Sequence, residues 1–154
     1  MPGTRWLGAG EQRAWRNYIE ATTMLLDALD RQLQQDSGMP HGYYEILVRL
    51  SEAELNTMRM SELAGATRSS RSRLSHAVAR LEERGWVRRR DCETDRRGQL
   101  AELTAAGRAA LVAAAPGHVA AVREYLVDQL SAEQVRQLGD IGAAVIDRLS
   151  TAPG

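Results

Sequence analysis

Residues 60–103 read MSELAGATRSSRSRLSHAVARLEERGWVRRRDCETDRRGQLAEL, and this stretch decides the fold. Ser61 can cap a short helix over 62–66, and a longer helix is predicted over 69–84, where Gly85 ends it. The apolar residues of the longer helix recur at helical spacing and are Leu74, Ala77, Val78 and Leu81. Two helices joined by a short turn predict a helix-turn-helix motif.

A β-hairpin is predicted directly after the second helix. Residues 86–90 and 99–103 have the composition of two short strands, and the polar residues between them form a long tip. Alternation along the first strand places Arg89 on the sheet face opposite Arg88 and Arg90. The stretch as a whole therefore predicts a helix-turn-helix followed by a hairpin wing.

Helical patterns continue on both sides of this module. The predicted helices cover residues 11–35, 41–52, 105–129 and 131–150. Thr104 can cap the third of them, and Ser131 with Gln134 forms a capping box for the last. Pro116 lies inside the third helix and is expected to kink or interrupt it. Residues 56–57 are expected to form a loop.

The helices at both ends carry apolar stripes too long for the small central module to cover. Such stripes pack on each other or on a second copy of the chain. We therefore expect residues 11–36 and 105–150 to form a helical dimerisation region, with a winged helix-turn-helix DNA-binding module over 41–104 and a loosely ordered or disordered segment over 1–10. The expected fold class is mainly α with a small β-hairpin wing.

The formal net charge of zero conceals a basic centre. Residues 59–97 hold 11 arginines and 6 acids, whereas the segments before and after them have more acids than arginines. Every basic residue is an arginine, and guanidinium groups suit phosphates and guanine edges. A basic middle between acidic ends is typical of a chain in which one segment meets a polyanion.

One face of the 69–84 helix has the chemistry of a DNA-reading surface. Projection at 100° per residue sets Leu74, Val78 and Leu81 on the buried side and leaves short polar side chains and arginines on the outward side. No acid occurs from Thr67 to Ala79. An α-helix fits the major groove, where such side chains can bond base edges without overfilling it.

The candidate DNA contacts fall into three groups. Base reading is assigned to Ser72, Arg73, Ser75 and His76. Phosphate contact at the start of the helix is assigned to Arg68, Ser70 and Arg71. Arg80 lies on the outward face, and Arg96 and Arg97 lie in the wing. Asp95 is two residues before Arg97 and can hold its guanidinium in one pose for a narrow minor groove.

Three stretches resemble the MarR (multiple antibiotic resistance regulator) family of winged-helix transcription factors. They are RMSELAGAT at 59–67, LSHAVARLEERGWVRRR at 74–90 and DRRGQLAELTAAGR at 95–108. The resemblance covers essentially the whole chain and implies a two-fold dimer built by the terminal helices, with 69–84 as the recognition helix. It also implies that Arg97 enters the minor groove with Asp95 supporting it. Cys92 and Glu93 depart from the family, which often has Pro and further Asp residues there.

The resemblance also raises the possibility of a small-molecule effector. Many relatives bind aromatic or phenolic compounds in the crevice between the helical arms and the DNA-binding module. The candidate residues here are Trp15, Tyr18, Tyr43 and Tyr44. The alternative interpretation, favoured by composition, is that these aromatic side chains belong to the core and the dimer contact.

Other chemistry is not indicated. His41, His76 and His118 are far apart in sequence and interpreted as far apart in space, so no metal site is expected. Cys92 is interpreted as an incidental exposed thiol, with a redox sensor as the lesser alternative. No catalytic constellation or phosphate loop can be assembled, so neither an enzyme nor a cofactor is expected.

These observations predict a sequence-specific transcription regulator, a homodimeric repressor of a pseudo-palindromic operator in double-stranded DNA. No apolar run approaches the roughly 20 residues that cross a bilayer, and no signal core is present, so a soluble cytoplasmic protein is expected. Two alternatives stay open. One is a ligand- or oxidant-sensing dimer in which DNA binding is secondary, and the other is a protein-interaction module.

Overall fold

The computed structural model describes residues 3–92 and 95–151, and for residues 95–97 it describes the backbone alone. The helices are α1 (Ala9–Ser37), α2 (His41–Glu52), α3 (Met60–Ala66), α4 (Arg71–Glu83), α5 (Ala105–Tyr125) and α6 (Ala132–Ser150). The strands are β1 (Thr57–Arg59), β2 (Val87–Cys92) and β3 (Asp95–Leu103). Short 3-10 turns lie at Glu54–Asn56 and Val127–Gln129. The predicted mainly α fold with a small β wing is confirmed.

The chain divides into two compact units, one ending at His118 and the other beginning at Val119. The first unit has a continuous apolar core to which helices and strands contribute. Its largest fully buried side chains are Leu33, Met39, Leu47, Leu50, Leu63, Leu74, Leu81 and Val78. Three of these residues belong to α4, so the stripe predicted from their spacing is the face that packs.

The sheet has one strand more than the sequence predicted. Its order is β1-β3-β2, with both pairs antiparallel, and β1 pairs Thr57 with Glu102. Residues 56–57 were expected to form a loop, and this expectation is wrong for Thr57, which begins β1. A three-residue strand is too short to show alternation, and the preceding Leu55 and Asn56 have positive φ angles of 52° and 56° that no local motif announces.

The starts of the two central helices also differ from expectation. Ser61 does not cap α3, because the helix begins at Met60 and Arg59 occupies the cap position. The α4 helix begins at Arg71 instead of residue 69, and its cap is Ser70, whose hydroxyl oxygen accepts a hydrogen bond from the Arg73 amide at 3.2 Å. The turn before it needs Arg68 at φ 52°, which delays the helix.

The end of the wing is joined closely to the start of α5. The Thr104 hydroxyl donates to the Gly85 carbonyl at 2.6 Å and accepts from the Gly107 amide at 3.0 Å, as the predicted cap requires. A Cβ atom placed on Gly107 would lie 2.0 Å from the Trp86 carbonyl oxygen. Only glycine allows this approach of helix and strand.

The α5 helix is continuous across Pro116, so of the two expected effects of this proline, a kink or an interruption, the interruption does not occur. By length and composition alone, Ala105–Gln129 is apolar enough to cross a membrane, which overturns the expectation that no stretch approaches that length. The core helix of a soluble protein passes the same test. Leu111 and Ala114 of α5 belong to the core of the first unit.

The second unit is built on α6, which begins at the predicted capping box. The Gln134 amide donates to the Ser131 hydroxyl oxygen at 3.2 Å, and the Gln134 side-chain oxygen accepts from the Ser131 amide at 2.9 Å. Arg123 and Asp128 form an ion pair at 2.5 Å before this cap. Both ends of the helix agree with the sequence pattern, which extends to Ser150.

Candidate nucleic-acid interface

The α4 helix has the outward face that its sequence predicts. Arg71, Ser72, Arg73, His76 and Arg80 are exposed, whereas Ser75 is half-buried on the flank. The acid-free segment from Thr67 to Ala79 therefore presents its guanidinium groups to solvent. Since the opposite face of α4 lies in the core, this side of the helix is available to a polyanion.

The Ser70 cap changes how one predicted contact is understood. Its hydroxyl oxygen is occupied by the Arg73 amide, but the side chain stays exposed at the helix start. A capped N-terminus keeps its remaining amides directed outward, and these favour an anion. Arg68 is exposed in the preceding turn. The three residues predicted to contact phosphate, Arg68, Ser70 and Arg71, thus lie together at the N-terminal end of α4.

Arg80 differs from the other exposed arginines of α4. It donates to Glu83 Oε2 at 2.9 Å, one turn further along the helix. This hydrogen bond raises the pKa of Arg80 above its usual value, and the charge of Glu83 adds to the effect. The pair is well exposed, so it is weak and can be exchanged for another anion.

A cavity of about 540 Å³ joins the start of α2 to the outward face of α4. Its polar lining is Tyr43, Ser69, Arg73, His76 and Arg80. The structure therefore places Tyr43, predicted as an effector-crevice residue, among the predicted DNA contacts. A concave surface with two guanidinium groups and no acid among its lining residues is suited to a phosphate.

A second cavity of about 400 Å³ lies between α3, α4 and the wing. Arg71 and Ser75 line it together with Arg59, Ser61 and Gln99, which the sequence analysis did not propose as contacts. Two of these residues could have been predicted from the sequence, because Arg59 and Ser61 lie at the start of the first helix of the helix-turn-helix motif. Gln99 could be placed only once the register of the hairpin was known.

The wing strand β2 has arginines on both faces, as alternation predicted. Arg88 and Arg90 both reach Glu102 on β3, at 3.0 Å and 3.3 Å. Arg89 lies on the other face, where its Nε donates to Glu82 at 2.8 Å. The wing is thus held to the recognition helix by one arginine and braced on its outer face by two.

The predicted wing-tip contacts cannot be placed as side chains. The β3 backbone begins at Asp95, opposite Cys92. The side chains of Asp95, Arg96 and Arg97 lie outside the described residues. Their assignment to the minor groove stays a prediction.

Cys92 is not the exposed thiol that the sequence suggested. Its exposed fraction is 8%, at the end of β2 and beside an irregularity of the hairpin register. Alternation alone places Cys92, five positions after the buried Val87, on the opposite face of β2, so its burial coincides with the break in register between Asp91 and Cys92. The polar neighbours in sequence concealed this.

Two histidines expected to be far apart are neighbours. The ring centroids of His41 and His118 are 5.7 Å apart, and the Tyr44 ring is 4.5 Å from that of His118. With Arg49 and Glu45 these rings line a cavity of about 300 Å³. Across residues 3–92 and 95–151, no group of three or more His, Cys, Asp or Glu side chains is placed to hold a metal ion.

The cavity changes the protonation of its rings. Burial lowers the pKa of His118 below its usual value, and the nearby charge of His41 lowers it further. Burial raises the pKa of the Tyr44 phenol. His118 Nδ1 lies 3.4 Å from the Gln32 side-chain oxygen. At neutral pH the cavity therefore presents a neutral His118 imidazole and a protonated phenol.

The four predicted crevice residues do not share one cavity. Tyr43 and Tyr44 line different cavities, and neither lining includes Trp15 or Tyr18. The His41 amide donates to Asp30 Oδ1 at 2.8 Å, which fixes where α2 meets α1. Tyr18 is twelve residues before Asp30, roughly 18 Å along the helix. Within a single chain the predicted crevice is therefore divided.

The α1 and α6 helices each leave an apolar face exposed. On α1 the exposed large apolar residues are Trp15, Tyr18, Ile19, Met24 and Leu26. On α6 they are Val135, Leu138, Ile141, Val145, Ile146 and Leu149. Faces of this size on a soluble chain mark surfaces that another molecule covers.

Comparison with known proteins gives a consistent result. A model described as MarR family matches residues 37–98. The chain is 30% identical over 125 residues to the Transcriptional repressor MprA of Escherichia coli K12, which covers 81% of this chain and 70% of that protein.

Solved structures agree over a larger part of the chain. Sco3205 of Streptomyces coelicolor, a MarR family transcriptional regulator crystallised in complex with DNA, is 54% identical with a TM-score of 0.94, covering 99% of this chain and 95% of that one. AbsC of the same organism, also a MarR family transcriptional regulator, is 44% identical with a TM-score of 0.90, covering 97% and 100%.

Proposed function

The chain belongs to the MarR family of transcriptional regulators, and from this membership we propose that it is a sequence-specific repressor that binds a pseudo-palindromic operator as a homodimer. The observation that carries the proposal is the outward face of α4, which has arginines, serines and a histidine but no acid from Thr67 to Ala79. A two-fold dimer places two such helices in successive major grooves about one helical turn apart.

We propose that base reading and phosphate contact are divided along α4. Arg73, with Ser72, Ser75 and His76, lies on the side that can reach base edges, and Arg68, Ser70 and Arg71 lie at the end that meets the backbone. Arg59, Ser61 and Gln99 extend the backbone contact beside the wing. Arg96, Arg97 and the supporting Asp95 complete the proposal at the wing tip.

The test is fluorescence anisotropy with the DNA upstream of the protein's own gene, against a scrambled duplex of equal composition. Binding to the operator is expected to be roughly 10³-fold tighter or better, and its affinity falls steeply with salt because arginines displace counterions from phosphates. Equal and weak binding to both duplexes, repeated with a genomic fragment library, would overturn the sequence-specific reading. A flat salt response would overturn the basic-surface argument.

Dimerisation is the second part of the proposal. The apolar faces of α1 and α6 are each too extensive to remain in water. In a two-fold dimer the same face of each protomer packs against its partner, so both faces are covered. Light scattering after size exclusion should give twice the mass of 17.0 kDa. A monomer at micromolar concentration would contradict the proposal.

The relative MprA of Escherichia coli is a transcriptional repressor. We propose that this protein likewise acts in the cytoplasm and catalyses no reaction.

The cavity of His41, Tyr44 and His118 supports an effector site for a small aromatic acid or phenol. Its three rings provide stacking surfaces, and its charged lining is Arg49, which pairs with Glu45 at 3.8 Å, together with Glu52. Salicylate is a suitable probe. It is expected to raise the melting temperature more as the pH falls through the pKa of His118, which burial holds below its usual value, because protonation of His118 supplies a charge for the carboxylate. A shift that is unchanged by His118→Gln would place the ligand elsewhere.

A further inference from the structure

Arg89 of β2 connects the wing to the middle of the recognition helix. Its Nε donates to Glu82 Oε2 at 2.8 Å, and its backbone amide donates to Glu82 Oε1 at 2.9 Å. Its Nη2 donates to the Ser75 carbonyl oxygen at 3.1 Å. The Arg89 side chain is 23% exposed, against 66% for Arg80 in its own ion pair. Two hydrogen bonds donated by the guanidinium, to Glu82 Oε2 and to the Ser75 carbonyl oxygen, therefore hold it in one orientation.

This fixed guanidinium determines the orientation of the Ser75 hydroxyl. Arg89 Nη1 lies 3.4 Å from Ser75 Oγ and donates to it. This donor occupies one of the two lone pairs of the hydroxyl oxygen and turns the hydrogen atom away from the guanidinium. The hydrogen atom and the one remaining lone pair of Ser75 are thus directed away from Arg89.

Two threonine hydroxyls, one within α1 and one just after α3, use their hydrogen internally. Thr23 donates to the Ile19 carbonyl and Thr67 to the Leu63 carbonyl, each at 2.8 Å. This back-bonding is the usual habit of serine and threonine in helices. Within the part of the chain that the structure describes, Ser75 Oγ has Arg89 as its hydrogen-bond partner and makes no such back-bond. Its hydrogen remains for an acceptor outside the protein.

The hydroxyl also lies where such an acceptor would arrive. Ser75 lines the cavity of about 400 Å³ together with Arg71 and Gln99, on the side of α4 that faces the wing. The side chain is half-buried, so its position is set by packing as well as by Arg89. A group entering between α4 and the wing meets a serine that offers a hydrogen.

We propose that Arg89 is a positioning residue for sequence reading, which fixes Ser75 as a hydrogen-bond donor to an acceptor on a base edge. The acceptors available in the major groove are purine N7, guanine O6 and thymine O4. A freely rotating serine tolerates every base edge, because its hydroxyl can also accept from the amino groups of cytosine and adenine. With one lone pair occupied by Arg89, Ser75 has a single lone pair left for those amino groups, which shifts its preference towards the acceptors. This inference rests on the proposed function, since it requires α4 to lie in the groove.

The test is a double-mutant cycle on the operator and on the scrambled duplex, measured by anisotropy. Arg89→Lys keeps the charge but removes the planar fork, and Ser75→Ala removes the hydroxyl. Each single variant is expected to weaken operator binding up to about tenfold, with the scrambled duplex affected less than about twofold. The double variant is expected to bind no more weakly than Ser75→Ala, because Arg89 acts through that hydroxyl.

Two matched variants make the cycle specific. Ser72→Ala removes a hydroxyl on the same helix that Arg89 does not contact. The loss of operator-binding free energy that it causes should therefore add fully to the loss caused by Arg89→Lys. Arg88→Lys alters the neighbouring arginine, which reaches Glu102 on the opposite face, and should leave the operator preference unchanged. If Arg89→Lys lowers the melting temperature, Glu82→Gln takes its place with the same expectation.

Two results would overturn the inference while leaving the proposed function intact. Additive losses for Arg89→Lys and Ser75→Ala would mean that the two residues act independently. Equal weakening on both duplexes would mean that Ser75 meets a phosphate oxygen, which carries no sequence information. A wild-type protein that does not discriminate between the duplexes would instead remove the proposed function itself.

Discussion

The winged module and the two terminal helices use apolar residues in opposite ways. In α4, Leu74, Val78 and Leu81 are almost completely buried, and the exposed face is polar and basic. On α6, no residue is buried, and Ile146 and Leu149 are 58% and 65% exposed. A single chain thus buries the apolar core of its winged module but leaves the apolar face of α6 exposed.

The difference indicates in which part of the protein the stability depends on protein concentration. A core closed within one chain has a stability that does not depend on protomer concentration. A face closed by a second copy has a stability that rises with protomer concentration. Substitutions of similar chemistry in the two regions should therefore behave differently.

The largest effect is expected from Leu81→Ala, compared with Ile141→Ala on α6. Leu81 is fully buried, so its truncation should cost about 2–5 kcal/mol of unfolding free energy through lost burial and a residual cavity. Urea unfolding followed by circular dichroism at several protein concentrations measures both variants. The Leu81→Ala cost should not depend on concentration, whereas the Ile141→Ala cost should be largest in dilute protein. Concentration-independent costs for both would break the comparison.

Arg73→Ala tests the exposed side of the module. If Arg73 makes a bidentate guanine contact, its loss should cost roughly 1–3 kcal/mol of binding free energy on the operator and relax the preference at one base pair. Competition with single-base operator variants measures this change in preference. Arg97→Ala serves as a comparison, and it should weaken binding most on operators with AT-rich flanks. Uniform weakening on every sequence would make Arg73 a phosphate contact.

Ser70→Ala should have a smaller effect on folding. The substitution removes the hydroxyl that accepts the Arg73 amide, and loss of such a cap typically costs about 1 kcal/mol of unfolding free energy. Ser69→Ala is the matched control, since its hydroxyl is not the cap of α4. Equal destabilisation by both variants, measured by thermal unfolding, would contradict the assignment of the cap.

The smallest effect is expected from the pH dependence of the histidine cavity. The folded-state pKa of His118 is lowered, so the unfolded chain binds a proton more readily. Stability from this group is present above the unfolded pKa of about 6.5 and is lost as pH falls through the lower folded value. Melting temperatures between pH 5 and pH 7.5 should therefore fall less in His118→Gln than in the wild type. An unchanged slope would show that other groups control this range.

The sequence predicted the helices well because their evidence is local. The spacing of Leu74, Val78 and Leu81 and the capping residues Thr104 and Ser131 all act within a few positions. The strand β1 was missed because its three residues pair with β3 some forty positions later. No window of neighbouring residues contains that information.

The candidate site divides in the same manner. The outward face of α4 follows from helical geometry, and the structure leaves Ser72, Arg73, His76 and Arg80 exposed on it. The approach of His41 to His118 and the bond between Arg89 and Ser75 depend on contacts between distant elements. Cys92 was misjudged because its polar neighbours in sequence are not what surrounds it in space.

The contact between Gly107 and the Trp86 carbonyl has a mechanical consequence. With no side chain between them, and with the Thr104 hydroxyl bonded to both Gly85 and Gly107, the first turn of α5 and the base of the wing form a joint without slack. A displacement of the first turn of α5 must therefore also displace the residues that lead into β2, and the hydrogen bonds of Arg89 join β2 to α4.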